Sequence, residues 1–186
     1  EECASRGTEV TLVAGPASLT TSHPRIHRID VESCQDMYQA ATTAFPHCEA
    51  AILCAAVADF RPEHVAEQKI KREKDDLILR LQPTHDIAAA LGKIKRNDQR
   101  LIGFALETHD EQAHAQKKLE HKNLDFIVLN SLANKGTCFQ SDNNQISIIS
   151  HSGKQDFNLK PKAEVATDII NALSEVLSDT TQNQKK

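Results

Sequence analysis

Ala50-Ala51-Ile52-Leu53-Cys54-Ala55 is an unbroken apolar run. A half-exposed strand alternates apolar and polar residues. A run without polar positions marks a parallel strand buried on both faces. The apolar stretch ends at Ala58, ahead of Asp59, far short of the roughly 20 residues a membrane helix needs. On either side of this strand the pattern alternates between elements. Glu9 to Val13 and Ile26 to Val31 fit strands, and a helix is expected from Cys34 to Phe45, capped by Ser33 and stopped at Pro46. Residues Asp59 to Asp76 form a charged excursion containing Pro62, followed by an expected strand at Leu77-Ile78-Leu79-Arg80-Leu81. Thr84 can cap a helix to Ile94, with Ile87, Leu91 and Ile94 at helical spacing. Leu101 to Leu106 reads as strand, Asp110 to Lys122 as helix, and Leu124 to Leu129 as strand. Ile146 to Ile149 and Phe157 to Leu159 suggest a hairpin through Ser152-Gly153, and Ala163 to Leu177 an amphipathic helix. Such alternation predicts an α/β domain with a mostly parallel sheet and an antiparallel C-terminal edge hairpin.

Composition bounds the partners. The 186 residues, 39% hydrophobic and 26% charged, suit one domain, expected over 1–178, with a disordered polar tail at 179–186. A net charge of −4 gives no general basic stripe, so neither nucleic acid nor membrane is expected as a partner. The five cysteines show no C-x-x-C spacing, which leaves zinc and redox motifs without support and fits reduced thiols in a cytoplasmic protein. No G-x-G-x-x-G or phosphate-loop fingerprint occurs. Glu1 to Arg6 reads as a helix tail capped by Gly7, and no basic-then-apolar leader is visible. The expectation is a protein that extends further N-terminally.

In open α/β sheets ligands sit at the carboxyl ends of the strands. That rule directs attention to Ala55-Ala56-Val57-Ala58-Asp59, to the segment after Phe104, and to Asn130 onward. Ala55 and its small neighbours would admit a ligand close to the backbone, and Asp59 could orient a hydroxyl or hold a metal through water; a tight strand exit with a solvated Asp is the alternative. Lys69 lies in a run of mixed charge and could swing over a polyphosphate, or be plain solvated surface. His114, Lys118 and Lys122 share a helix face at i, i+4, i+8, able to present ammonium groups to phosphates or simply to water. Phe104 could flank a base or fill the core. Thr84-His85-Asp86-Ile87 opens a helix whose free N–H groups favour an anionic or carbonyl partner, with His85 either engaged or idle.

Several of these segments occur together in one order: Gly7-x-Glu9-Val10-Thr11-Leu12-Val13-x-Gly15-Pro16, Ala55-Ala56-Val57-Ala58-Asp59-Phe60, Lys69-Ile70-Lys71, Asp86-Ile87, Gly103-Phe104-Ala105-x-Glu107-Thr108, Lys122-Asn123-Leu124-Asp125 and Phe139-x-Ser141-Asp142-x-Asn144. From about Gly7 to Leu177 the chain resembles phosphopantothenoylcysteine synthetase, often the C-terminal half of a bifunctional coenzyme A biosynthesis protein. The resemblance implies a three-layer Rossmann-like fold and a ligase that joins 4′-phosphopantothenate to L-cysteine. It also implies CTP as co-substrate with Mg2+, an acyl-cytidylate intermediate and a homodimer to which the edge hairpin could contribute. FMN belongs only to a possible upstream decarboxylase domain. By motif position, Lys69 becomes the catalytic flap lysine, and Lys118 and Lys122 become phosphate or nucleotide contacts. Ala55, Asp59, His85, Asp86, Ile87, Ala88 and Phe104 become other nucleotide-site positions; metal ligands are not assigned. His85 stands where members often carry Pro, and Phe60 where they often carry Tyr. The family's N-terminal strand, turn and Asn-containing Ser-Ser-Gly segment have no counterpart here, so the 186 residues alone are expected to turn over poorly.

Two other classes compete. A nucleotide-binding regulatory or scaffold subunit would have no need of Lys69, Lys118 and Lys122. A dinucleotide-dependent oxidoreductase would need a Gly-rich turn after a strand. The ligase reading requires the three amines to converge on one triphosphate.

Overall fold

The structure, a computed structural model of the chain, describes residues 1–72, 76–107, 111–131 and 141–183. In chain order the elements are α1 (Glu2–Ser5), β1 (Val10–Ala14), β2 (Ile26–Asp30), α2 (Cys34–Ala44), a 3₁₀ turn (Phe45–His47), β3 (Ala50–Leu53), β4 (Phe60–Pro62), β5 (Leu81–Pro83) and α3 (Ile87–Ile94). Then follow β6 (Arg100–Glu107), α4 (Glu111–His121), β7 (Phe126–Ser131), β8 (Asn143–Asn144), β9 (Ile146–Ser150), β10 (Gly153–Asp156), β11 (Lys160–Pro161) and α5 (Lys162–Asn183).

The main sheet has five strands in the order β10-β9-β7-β6-β3. β3, β6 and β7 are parallel and β9 and β10 antiparallel, which is the expected α/β architecture. Successive side chains of a strand point to opposite faces, and here each face has its own core. Leu101 and Ala105 of β6 and Ile127 and Leu129 of β7 pack with Ile87 and Leu91 of α3 and Ala115 and Leu119 of α4. Ile102, Phe126 and Val128 pack instead with Val165, Ile169, Ile170 and Leu173 of α5. β6 and β7 are apolar on both faces because both are covered, whereas β3, expected to be buried on both faces, is the end strand in this order, with Ala50, Ala51 and Leu53 half-buried and Ile52 exposed. β1 and β2 pair parallel with each other in a separate two-stranded sheet.

Several boundaries differ from the sequence reading. The strand expected at Leu77–Leu81 shrinks to β5, which among the described residues pairs only with β4. Leu77, Ile78 and Leu79 are exposed, with nothing among the described residues covering them. Thr84 does not cap α3: its hydroxyl donates to the Ala58 carbonyl (2.6 Å), and Asp86 caps instead, accepting from the Ala89 N–H at 3.0 Å. The second hairpin strand is Gly153–Asp156 rather than Phe157–Leu159, and Phe157 N–H closes the pairing on the Ile146 carbonyl. α5 runs on to Asn183, so 179–183 continue a helix where a tail was expected, and 184–186 lie outside the described residues. The Thr108 and Phe139 positions of the motifs, and the expected helix start at Asp110, also lie outside them. Among the described residues no helix is long and apolar enough to cross a membrane.

α4 ends by a specific device. Asn123 takes φ 52°, Leu124 N–H donates to the Leu119 carbonyl (2.9 Å) and Asn123 N–H to the Glu120 carbonyl (3.2 Å). This is a Schellman stop with Asn in the left-handed position. The turn then seats on α3 at Gly92. A Cβ there would overlap the Lys122 carbonyl oxygen and stand 2.9 Å from its carbon. Replacing a helix-interior Gly by Ala ordinarily stabilises by up to about 1 kcal/mol. At Gly92 the backbone overlap reverses the sign, and Gly92→Ala is expected to lose about 1–3 kcal/mol in urea denaturation. A stabilised variant would show that α3 and the turn are not in contact.

Candidate functional site

The site is assembled at the carboxyl end of β3, where the chain leaves the sheet through Cys54 to Asp59. Thr84 ties that exit to the start of α3: besides its hydroxyl bond to Ala58, its N–H donates to the Asp59 carbonyl at 2.9 Å. The thiol of Cys34, first residue of α2, lies 3.8 Å from the same Ala58 carbonyl. α2 is itself set by a reciprocal cap, with Ser33 Oγ accepting from Asp36 N–H and Asp36 Oδ2 accepting from Ser33 N–H.

Asp86 does two jobs. Oδ1 caps α3 through the Ala89 N–H, and Oδ2 meets Lys122 Nζ at 3.0 Å. Partial burial would raise its pKa. The Ala89 N–H and the Lys122 ammonium, with His121 nearby, outweigh that and hold the carboxyl below the ordinary aspartate value. Lys122 reaches this position because the turn after it is fixed on three sides. Asn123 Nδ2 donates to the Gly92 carbonyl (2.9 Å), and Leu124 is buried. Asp125 accepts from Leu101 N–H (2.6 Å) and from Lys95 Nζ (2.9 Å). The sequence Lys122-Asn123-Leu124-Asp125 is thus a cation, a turn, a core anchor and a clamp to β6.

The candidate residues divide. Ala55, Asp59, His85, Asp86, Ile87, Ala88 and Lys122 belong to the β3 exit, the start of α3 and the end of α4, which the Thr84 and Asp86 contacts draw together. Ile87 is buried in the core behind them. Lys118 stands one turn before Lys122 on α4 and is exposed. Lys69 is exposed on the arm between β4 and β5, with no hydrogen bond or ion pair among the described residues. Phe104 takes the core fate: it packs with the α5-side cluster, on the face opposite to α3 and α4. Among the described residues no three His, Cys, Asp or Glu side chains gather as a metal cage. Sequence reasoning missed Gly92, Tyr38 and the Asp86–Lys122 pair. An isolated glycine inside a helical pattern was the signal available for the first, because such a residue usually has a packing reason.

The family model of the DNA/pantothenate metabolism flavoprotein C-terminal domain matches residues 1–177. A protein of an unknown prokaryotic organism named cysteine/cysteine sulfinic acid decarboxylase is 51% identical over 171 residues, covering 91% of this chain and 48% of its own length. The coenzyme A biosynthesis bifunctional protein CoaBC of Haemophilus influenzae is 40% identical over 175 residues, 94% of this chain and 43% of that protein. The chain therefore spans about half the length of these curated relatives. A crystal structure of the C-terminal domain of CoaBC superposes with a TM-score of 0.80 at 33% identity, covering 96% of this chain and 80% of that one. The fold and the resemblance drawn from the motifs both agree with these matches.

Asp86→Asn keeps a good cap and removes the charge facing Lys122. Because the folded-state pKa is depressed, the pair's contribution is present above the ordinary aspartate pKa of about 3.9 and is lost as pH falls through the lower folded value. At neutral pH the variant is expected to be less stable by under about 1 kcal/mol, as for a half-exposed pair. In thermal melts across pH, that difference should vanish in strong acid. A constant gap over the whole range would contradict the pairing.

Proposed function

The chain belongs to the DNA/pantothenate metabolism flavoprotein C-terminal domain family, and from that premise we propose that it is the ligase domain forming the amide between 4′-phosphopantothenate and L-cysteine in coenzyme A biosynthesis. The observation that carries the reading is the Asp86–Lys122 pair beside the β3 exit, a positioned ammonium at the end of a parallel sheet where phosphates are commonly bound. In the proposed reaction the carboxylate of 4′-phosphopantothenate attacks the α-phosphorus of CTP. Pyrophosphate leaves and an acyl-cytidylate forms. The cysteine amine then displaces CMP, giving up a proton as the amide forms. Negative charge on the polyphosphate must be stabilised throughout, and fixed ammonium groups supply that without reorganisation.

In this reading Lys122 and Lys118 receive the phosphates, and Lys69 closes over them from its arm as the catalytic lysine. Ala55, Asp59 and the His85–Ala88 turn line the nucleotide. Mg2+ enters with the triphosphate as part of the substrate, since it is usually bound through phosphates and water with one or two carboxylates. The decarboxylase activity in the name of the 51% identical relative is that protein's, of which this chain matches less than half. A cytoplasmic location accords with the substrates.

A homodimer is part of the proposal. The β4–β5 arm exposes Phe60, Val65, Ile70, Leu77, Ile78 and Leu79, whereas the hairpin edge β10 is polar and carries a Lys154–Asp156 pair at 2.8 Å, a pattern that discourages edge pairing. The arm, rather than the hairpin, is the surface a second copy would cover. Ile78→Glu is expected to shift the chain to monomer in light scattering; an unchanged mass would remove the arm from the interface.

Calorimetric titration with CTP tests the site. Lys122→Ala is expected to weaken binding about ten-fold, the loss of one charge-assisted phosphate contact. Unchanged affinity would sink the assignment. Release of pyrophosphate that depends on phosphopantothenate separates the ligase from a nucleotide-binding subunit.

A further inference from the structure

His85 stands between the two anchored residues of one turn: Thr84 is tied to Ala58 and Asp59, and Asp86 to Ala89 and Lys122. Its imidazole lies on the ring of Tyr38, with centroids 4.5 Å apart and planes 24° from parallel. Tyr38 belongs to α2, not to the turn, and is half-buried against the core that includes Phe45, Ile87 and Leu91. Both rings border an open groove of about 360 Å³ between α2 and α3, which Ala89 and Lys93 of α3 also line. An exposed imidazole on an unpaired turn would sample several rotamers, and fixing it costs entropy. Offset stacking on a ring that is itself anchored offsets that cost. The stack engages the face of the tyrosine ring, so the phenol oxygen is dispensable to it.

The geometry points to Tyr38 as a positioning residue of the nucleotide site. It acts through His85, holding from the α2 side the turn whose next residue, Asp86, sets Lys122. Thr84 fixes the turn to the segment that follows β3 and Asp86 fixes it to α3 and α4; Tyr38 supplies the remaining direction. This inference rests on the nucleotide reading above.

CTP affinity is measured by calorimetry on the chain and its variants. Tyr38→Phe retains the stack and should bind as the parent does. Tyr38→Leu should bind about three- to ten-fold more weakly, the range expected for an aromatic pair. His85→Ala should weaken binding as well. The double variant should be no weaker than His85→Ala alone, because Tyr38 acts only through His85. Losses that multiply, a Tyr38→Phe variant as impaired as Tyr38→Leu, or a Tyr38→Leu variant with parental affinity would each overturn the inference while leaving the site standing. A parent chain that binds neither CTP nor ATP would overturn the nucleotide reading and this inference with it. Should Tyr38→Leu not fold, the His85 ring-proton shifts decide: a ring-current displacement in the parent and in Tyr38→Phe is expected, and its absence in the parent refutes the stack.

Discussion

The site depends on the approach of two backbones. At Gly92 helix α3 has no side chain, and the carbonyl of Lys122 occupies the space a Cβ would need. Protein interiors are close-packed, so a single methyl at such a contact moves whole elements. Asn123 completes the joint from the other side, taking the left-handed conformation that ends α4 and returning its amide to the Gly92 carbonyl. With the joint closed, the side chain of Lys122 reaches Asp86 at the opposite end of the short helix α3. The cation is therefore placed by backbone packing, and the ion pair only trims its orientation.

The sheet explains why this happens where it does. β6 and β7 are parallel, with Phe104 opposite Val128, and each sends alternate side chains to two separate cores. α3 and α4 each lead into a parallel strand on the same face of the sheet, so both helices begin at its carboxyl end. α3 starts at the β3 exit, whose carbonyls hold Thr84. Asp125 locks the far side by accepting from the first residues of β6. The start of α3 is thus held to the β3 exit by hydrogen bonds, while the end of α4 is held to β6 and α3.

Much of the fold was legible because burial leaves a pattern in the chain. The stretch Leu124–Leu129 announces a strand covered on both faces, and Ser33 announces a cap; the run at Ala50–Ala55 announces a strand as well, but one that ends up half-buried at the end of the sheet. The errors share a cause, which is that local sequence does not say what lies opposite. Leu77-Ile78-Leu79 has strand composition but, among the described residues, no neighbouring strand to pair with. Thr84 is as good a cap as Asp86 in isolation, and lost the role because its hydroxyl is claimed by Ala58. Phe104 is near a strand exit in sequence, yet the two-residue period assigns it to the α5 face. Asp86 and Lys122 were each legible as candidates from their motifs. Their pairing was not, since it comes from a joint formed by Gly92 and Asn123.

Two lysine–aspartate pairs close to each other in sequence show how magnitude separates structure from function. Lys95 and Asp125 are 10% and 19% exposed, and Asp125 also bonds a backbone N–H and faces Arg100. Removing either partner would strand a buried charge, which typically costs about 3–5 kcal/mol, so that pair cannot be spared. Lys122 and Asp86 are 27% and 48% exposed. A pair of that exposure is worth under about 1 kcal/mol. Under the proposed ligase reading, an incoming phosphate, which brings more negative charge than one carboxylate, can therefore take the ammonium from Asp86 at small cost. The aspartate then keeps its bond to Ala89 and the helix keeps its cap. A weak pair on a rigid joint holds a lysine in place without holding it back.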